Sequence, residues 1–254
     1  MEDRNKALER IVEIDESLSI SNEVSFVREV ALPKDFSYVK RFEKEISLPK
    51  PREQLLSTNL FEIITRRRSR REFNMFKPVD LDTLSTILFA SVGKTASVDG
   101  IYGLLDYPLR ASPSAGGLHC ADLYVAALRV EDLPPGIYYY NYVNHSLGVI
   151  CEACVPHDVT ESVYQPMLRV APVYFIYVAV FRRGAWKYRE IYYKYCLVDV
   201  GAAAENAHLA AEAAGLASVF IAGFDRHKVS KSLILDRYEA PVLLLALGYP
   251  KQLG

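Results

Sequence analysis

Long apolar runs are absent from this 254-residue chain. A membrane-crossing helix needs about 20 consecutive apolar residues. The longest candidates, Ala171 to Phe181 and Pro241 to Leu247, are only strand-sized. The opening MEDRNKALER is charged and lacks the apolar stretch of a secretory signal, so a soluble, cytoplasmic protein off the membrane is expected. An excess of one charge is missing too: 30 Lys and Arg face 31 Asp and Glu, a formal net charge of −1. General nucleic-acid binding draws on surplus cations to displace counterions, so no nucleic-acid partner is expected. Cysteine is sparse. Cys120, Cys151, Cys154 and Cys196 are too few for a disulfide scaffold at this length. Core-forming residues are not scarce: 50% of the chain is hydrophobic, which suits one folded domain with or without an appendage.

Residues 1–56 are charged and weakly periodic, and they end in the proline punctuation Leu48-Pro49-Lys50-Pro51. They read as an N-terminal extension ahead of a domain over 57–254. From Ser57 the pattern sharpens. Leu60, Ile63 and Ile64 sit at helical spacing behind a possible Ser57 or Thr58 cap. A second helix follows Asp80, with Leu81, Leu84 and Leu88 on one face and Gly93 beyond its end. A loop then runs through Gly100 and Gly103 to His119. Leu123 to Val130 reads as a strand, and Ile137 to Tyr142 with Leu147 to Ile150 as a hairpin. Ala171 to Phe181, Ala217 to Ala222 and Pro241 to Leu247 are apolar on both faces and predict buried strands. Ile191 to Gly215 predicts a long Ala-rich helix, and Asp225 to Leu235 a short one. Interleaved helices with hairpins predict an α+β fold, helices packed on a mostly antiparallel sheet.

Four local features carry chemistry. Arg66 to Arg71 places five arginines in six positions, a density that calls for neutralising partners. Arginine forks suit phosphate and the polar rim of a heterocycle, although a solvated charge run reads equally well. Pro113 to Gly117 is a loop of small residues whose N–H groups could approach a ligand, or an ordinary turn. Lys187 beside Tyr188 could supply a proton donor or a cation, or simply be a surface pair. In Phe220 to Asp225 a strand ends at Gly223 and Asp225 caps the next helix, which brings backbone to a flat ring or makes a plain turn.

In this order the four features resemble the nitroreductase family. Arg67-Arg68-Ser69-Arg70-Arg71-Glu72-Phe73 is similar to its opening motif, Arg-Arg-Ser-x-Arg-x-Phe. Arg110 to His119 resembles the Pro-Ser-Ala-Gly-Gly-Leu-His loop of its SagB-type, azoline-oxidase-like (ThcOx-like) dehydrogenase branch. Gly136-Ile137-Tyr138-Tyr139-Tyr140 is similar to that branch's hairpin, and Lys187-Tyr188 to its Lys-Tyr pair. Asp199, Gly201, Asn206, Ala214-Gly215-Leu216 and Gly223-Phe224-Asp225 continue the pattern, and the resemblance spans Leu48 to Pro250.

The resemblance implies a nitroreductase-like fold and FMN held at a homodimer interface. It implies that Arg67, Arg68, Ser69 and Arg71 contact the phosphate or ring edge, and that Pro113, Ser114, Ala115, Gly116 and Leu118 line the flavin from either subunit. Ala222 and Gly223 would lie against the ring, the Ala-rich helix would be the dimer helix, and Lys187 and Tyr188 would handle protons. The implied function is an FMN-dependent oxidoreductase, with a modified peptide oxidised from azoline to azole or a small electron acceptor as substrate. The alternatives are an NAD(P)H-dependent nitro or quinone reductase, or a flavin-binding structural partner without turnover. The chain departs from the family at Ile191, which replaces the Arg of Lys-Tyr-x-x-Arg, and at Cys120, which replaces a proline. Lys251 is the only counterpart of a basic C-terminal segment. Cys151-x-x-Cys154-x-x-His157 lies outside the resemblance. It reads as an incomplete zinc set, a disulfide or a redox pair, and no metal is expected.

Overall fold

The computed structural model describes residues 2–17, 32–33 and 36–251. In chain order its elements begin with α1 (Glu2–Ser17), β1 (Glu45–Ser47), α2 (Leu60–Arg66) and α3 (Leu81–Val92). Next come β2 (Lys94–Val98), β3 (Tyr107–Arg110), β4 (Ala121–Ala127), β5 (Gly136–Asn141), β6 (Ser146–Glu152) and α4 (His157–Ser162). The chain finishes with β7 (Val173–Val180), α5 (Ala185–Tyr188), α6 (Tyr192–Ala213), β8 (Ala217–Ile221), α7 (Arg226–Lys231) and β9 (Glu239–Gly248).

A seven-stranded sheet in the order β1-β6-β5-β4-β7-β9-β8 forms the centre. Every neighbouring pair in it is antiparallel. Side chains alternate across a strand, so each central strand feeds two cores. Leu123, Val125, Phe175, Tyr177, Leu245 and Leu247 face α3 and α6, packing on Leu84, Leu88, Ala203 and Ala207. Tyr124, Ala126, Tyr174, Ile176, Leu244 and Ala246 face the other way, onto Val159 of α4 and Val229 of α7. This two-sided burial is why β4 and β7 show no polar alternation: all their residues are buried.

The observed α+β fold is the one predicted, with local differences. β4 starts two residues before the predicted strand and ends at Ala127. α7 is limited to Arg226–Lys231, short of the predicted Leu235. The α2 cap is Asn59, whose side chain accepts from the Phe61 N–H, and not Ser57 or Thr58. The stretch through Gly100 and Gly103, predicted as loop, carries the β2–β3 hairpin. In the segment read as an extension, β1 joins the sheet edge by pairing with β6. Short edge strands carry too few alternating residues to stand out in a pattern.

Candidate functional site

The arginine run is divided by its partners. α2 ends at Arg66, and the following residues run extended, with Ser69 bridged to Ser218 and the Arg70 N–H donating to the Ser218 carbonyl at 3.0 Å. The carboxylate of Glu212, buried on α6, accepts from Arg66 Nε at 2.9 Å and from Arg70 Nη2 at 3.4 Å. Arg66 also pairs with Glu62 at 2.9 Å, so two carboxylates of the same chain balance these two guanidiniums. Arg67 instead places Nη1 3.0 Å from Nε2 of His208, with the Glu205 carboxylate at 3.9 Å from its Nε. Arg68 and Arg71 are exposed and, among the described residues, donate only to backbone carbonyls, of Thr65 and Arg67 and of Ser69. Two free guanidiniums beside one held by a neutral ring form a donor set with spare positive charge, which suits a phosphate. Arg71 also shares a cavity of about 570 Å³ with Lys251, whose N–H donates to Glu72 O at 3.1 Å.

His208 sets the Arg67 geometry. Its Nδ1 lies 2.5 Å from Ser218 Oγ. Burial, then the positive charge of Arg67, holds its pKa down at about 4 from the ordinary 6.5. The ring is neutral at pH 7, and a neutral Nε2 accepts from the guanidinium only if the proton sits on Nδ1, which then donates to Ser218.

The Pro113–Leu118 loop packs on the other end of α6. Asp199 accepts from Ser114 Oγ at 2.7 Å and from the Ala115 N–H at 3.1 Å. Ser114 Oγ in turn accepts from the His119 N–H at 2.8 Å. Burial raises the Asp199 pKa, and the Ser114 and Ala115 hydrogen bonds oppose the rise. Gly116 has φ of +61°, and a Cβ built there would lie 2.5 Å from Tyr188 Oη, so glycine is required. Pro113 and Gly116 remain exposed while Leu118 is fully buried. Leu118 anchors the loop from below; in a single protomer it presents no surface to a ligand.

Lys187 and Tyr188 come to this loop. Lys187 Nζ donates to Tyr102 Oη at 2.9 Å, and Tyr102 donates to the Gly116 carbonyl at 2.7 Å. The ammonium also lies 4.9 Å and 5.1 Å from the Tyr102 and Tyr188 ring centres, within cation–π range. α5, which carries the pair, is pinned by Arg183. That guanidinium makes a buried bidentate pair with Asp122 at 2.6 and 3.0 Å and donates to the carbonyls of His119 and Ser37. Ile191, at the position of the family Arg, is buried with Cys120, Tyr188 and Cys196 in an apolar cluster.

Ala222 and Gly223 follow β8 and are exposed. Among the described residues a Cβ on Gly223 would meet only Tyr164, at 3.9 Å, so the backbone there offers an open flat face. Cys151 and Cys154 are joined in a disulfide, and among the described residues no His, Cys, Asp and Glu cluster could hold a metal.

Sequence reasoning missed Tyr102, Asp122, Arg183, Asp199 as loop anchor, His208 and Glu212. The available signals were polar residues inside otherwise apolar elements: Asp122 at the head of β4, and Asp199, His208 and Glu212 on α6. Such residues need buried partners. Tyr102 gave no signal, since it lies in an irregular turn with φ of +51°.

An antiparallel sheet lies between helical layers, and α6 fastens the arginine segment at one end and the small-residue loop at the other. The nitroreductase family pattern matches residues 64–249, and the chain belongs to the nitroreductase family. It is 29% identical over 205 residues to a nitroreductase relative from Methanocaldococcus jannaschii, covering 80% of this chain and 96% of that one. A nitroreductase crystal structure from Ralstonia eutropha superposes with a TM-score of 0.69 at 28% identity, covering 90% of this chain and 96% of that one. The microcin B17-processing protein McbC of Escherichia coli is 28% identical over 149 residues, 55% of this chain and 54% of McbC. The E. coli McbBCD complex with truncated pro-MccB17 bound contains a chain of the same fold, with a TM-score of 0.64 at 18% identity and coverage of 98% and 94%. No helix among the described residues is long and apolar enough to cross a membrane.

Proposed function

We propose that the chain is an FMN-dependent oxidoreductase of the SagB-type branch, working as a homodimer. The observation that carries this reading is the division of the site along α6. The arginine end is held at His208 and Glu212, the loop end at Asp199. Asp199 and His208 are nine residues apart, about 13 Å along a helix. On α6 beside Asp199, Leu197 and Val198 are 42% and 64% exposed, and Gly201 is exposed among the described residues. Apolar surface of this kind favours burial by a partner. A two-fold copy laid antiparallel on it sets the loop end of one chain over the arginine end of the other.

In that arrangement Arg67, Arg68, Ser69 and Arg71 hold the FMN phosphate, and Lys251 adds charge beside Arg71. Pro113, Ser114, Ala115 and Gly116 reach the flavin edge from the partner copy, and Ala222 with Gly223 lie flat against the ring. When bound, FMN supplies hydride transfer. The protein positions the substrate, excludes water and manages the proton. Lys187 and Tyr188 stand beside Gly116, where a proton released from substrate carbon meets a base or a water that they hold.

Similarity to McbC, and the precursor bound in the McbBCD complex, favour a modified peptide oxidised from azoline to azole. Ile191 favours the second reading, NAD(P)H-dependent reduction of a small acceptor, because the pattern's cation is replaced by a buried aliphatic side chain. Fluorescence titration with FMN tests the cofactor: quenching saturates in the micromolar range, and an unsaturated titration removes the proposal. Anaerobic mixing then separates the chemistries: rapid bleaching of the flavin by NADPH marks the reductase, and bleaching by an azoline peptide the oxidase.

A further inference from the structure

We propose that Cys151 and Cys154 form a thiol–disulfide exchange site for low-molecular-weight thiols, distinct from the flavin site. The two cysteines are bonded across a separation of three residues, with Cα atoms 6.1 Å apart. Three observations point to exchange and not to a structural staple. The first is topology. A disulfide stabilises chiefly by closing a loop in the unfolded chain, and the benefit falls as the loop shortens. Here the loop is about as short as a bridge permits, and the hairpin already fixes its backbone: Cys151 pairs with Ile137 across β5–β6, and the Cys154 N–H donates to Pro135 O at 3.1 Å.

The second observation is backbone strain. Ala153, inside the ring, has φ of +55°, the left-handed region that glycine enters freely and that costs a residue with a Cβ such as alanine. Strained and exposed disulfides are the readily reduced ones. The third is access. Both cysteines are half-buried and line an open cavity of about 340 Å³ with His157, Asp158 and Lys231. A lysine ammonium near a sulfur favours the thiolate that leaves on reduction, and Asp158 offsets part of that field. Cys120 and Cys196, by contrast, are fully buried, and burial pushes the Cys120 thiol well above its ordinary pKa.

In the exchange, one thiolate attacks a sulfur of the Cys151–Cys154 bond, forming a mixed disulfide and freeing the other cysteine as a thiolate. A second thiol resolves the mixed disulfide, so that two small thiols are oxidised to one disulfide and the protein gains two thiols. The ring opens at the head of α4, whose far end is tied to the Gly223 loop: the Asp225 N–H donates to Ser162 O at 2.8 Å, and Val163 bridges Phe224.

The test equilibrates the native full chain in glutathione buffers from reduced to oxidised, quenches in acid, alkylates, and maps labels by mass spectrometry. Labelling at Cys151 and Cys154 should rise and fall together and reversibly with the glutathione ratio, while Cys120 and Cys196 label only after unfolding. Cys154→Ser should carry a glutathione adduct on Cys151, removable by reductant. The proposal fails if millimolar dithiothreitol leaves the pair closed in the folded protein, or if the opened pair does not close again in oxidised glutathione. It also fails if the opened pair takes up zinc at one ion per chain and stays reduced in oxidised glutathione, which would make the pair metal ligands. None of these readouts depends on flavin, so the exchange site and the flavin site fail separately.

Discussion

His208 couples two parts of the chain through one ring, and its titration is measurable. Its pKa in the folded state is about 4, below the ordinary 6.5, so the fold favours the neutral form. As pH falls from 6.5 toward 4, the unfolded chain takes up the proton first. The stability that the neutral ring contributes is complete above 6.5, is lost through this window, and changes no further below it. Urea unfolding at about pH 7 and about pH 4.5 should show the native protein losing more stability than His208→Gln, which cannot titrate. Equal losses would mean that the ring is not held neutral. Lys187 and Tyr188 are tested by Lys187→Ala and Tyr188→Phe. Each should keep FMN binding and lower substrate oxidation by about 10²-fold, the scale of a lost acid–base group. Loss of FMN together with activity, or no loss of either, would make the pair structural. Tyr102→Phe removes the acceptor of the Lys187 ammonium and should give an intermediate loss, because the cation keeps both rings but not its hydrogen bond.

Among the elements, α6 holds the site together. Its inner side packs Ala203, Ala204 and Ala207 against the sheet and α3, where small side chains allow close approach. Four of its polar residues each hold a separate part of the chain. Asp199 fastens the loop, Asn206 donates to the Ala111 carbonyl at 3.3 Å, His208 meets Arg67, and Glu212 binds Arg66 and Arg70. The helix is therefore not apolar all round, although its Ala and Leu content suggests that it should be. One side stays exposed among the described residues, at Leu197, Val198 and Gly201. Val198→Asp places a charge on that side, where a copy of the helix would have to desolvate it. Light scattering should give a mass near twice 28.6 kDa for the native protein and a shift toward 28.6 kDa for Val198→Asp. A native chain that stays monomeric over a concentration series defeats the shared-site arrangement. Glu212 is the counterpart inside the chain. Glu212→Gln takes the carboxylate from Arg70 and leaves Arg66 with Glu62 alone, and it should cost about 1 kcal/mol in unfolding free energy, because both guanidiniums stay in contact with water.

For the whole molecule, ligand and fold are linked by mass action. A ligand that binds only the folded form stabilises it by RT ln(1 + [L]/Kd), about 2.7 kcal/mol at one hundred times Kd. FMN should therefore raise the thermal midpoint progressively with concentration. Riboflavin, which lacks the phosphate, should do so less, because Arg67, Arg68 and Arg71 would have no dianion to bind. Equal shifts for the two would move the arginines away from the phosphate. Arg71→Ala should narrow the gap between the ligands without lowering the midpoint of the free protein, since among the described residues the Arg71 guanidinium donates only to the Ser69 carbonyl.

The order of elements, the antiparallel sheet and the family were legible in the chain because they rest on local regularity. Buried strands such as Val173–Val180 announce themselves by apolar residues on both faces, α3 by its Asp80 cap and 3.6-residue period, and the family by short motifs in fixed order. Tertiary structure alone decided which arginines are free. Nothing in Arg66 to Arg71 says that Glu212, 146 positions after Arg66, takes two of them, or that His208 takes a third. It also decided that Asp199 fastens the Ser114 loop 85 positions away, and that Tyr102 reaches Lys187 from a left-handed turn across the same separation. Propensity and periodicity act between residues a few positions apart. The partner of a buried charge is set by how completed elements pack, and that appears only once the chain has folded.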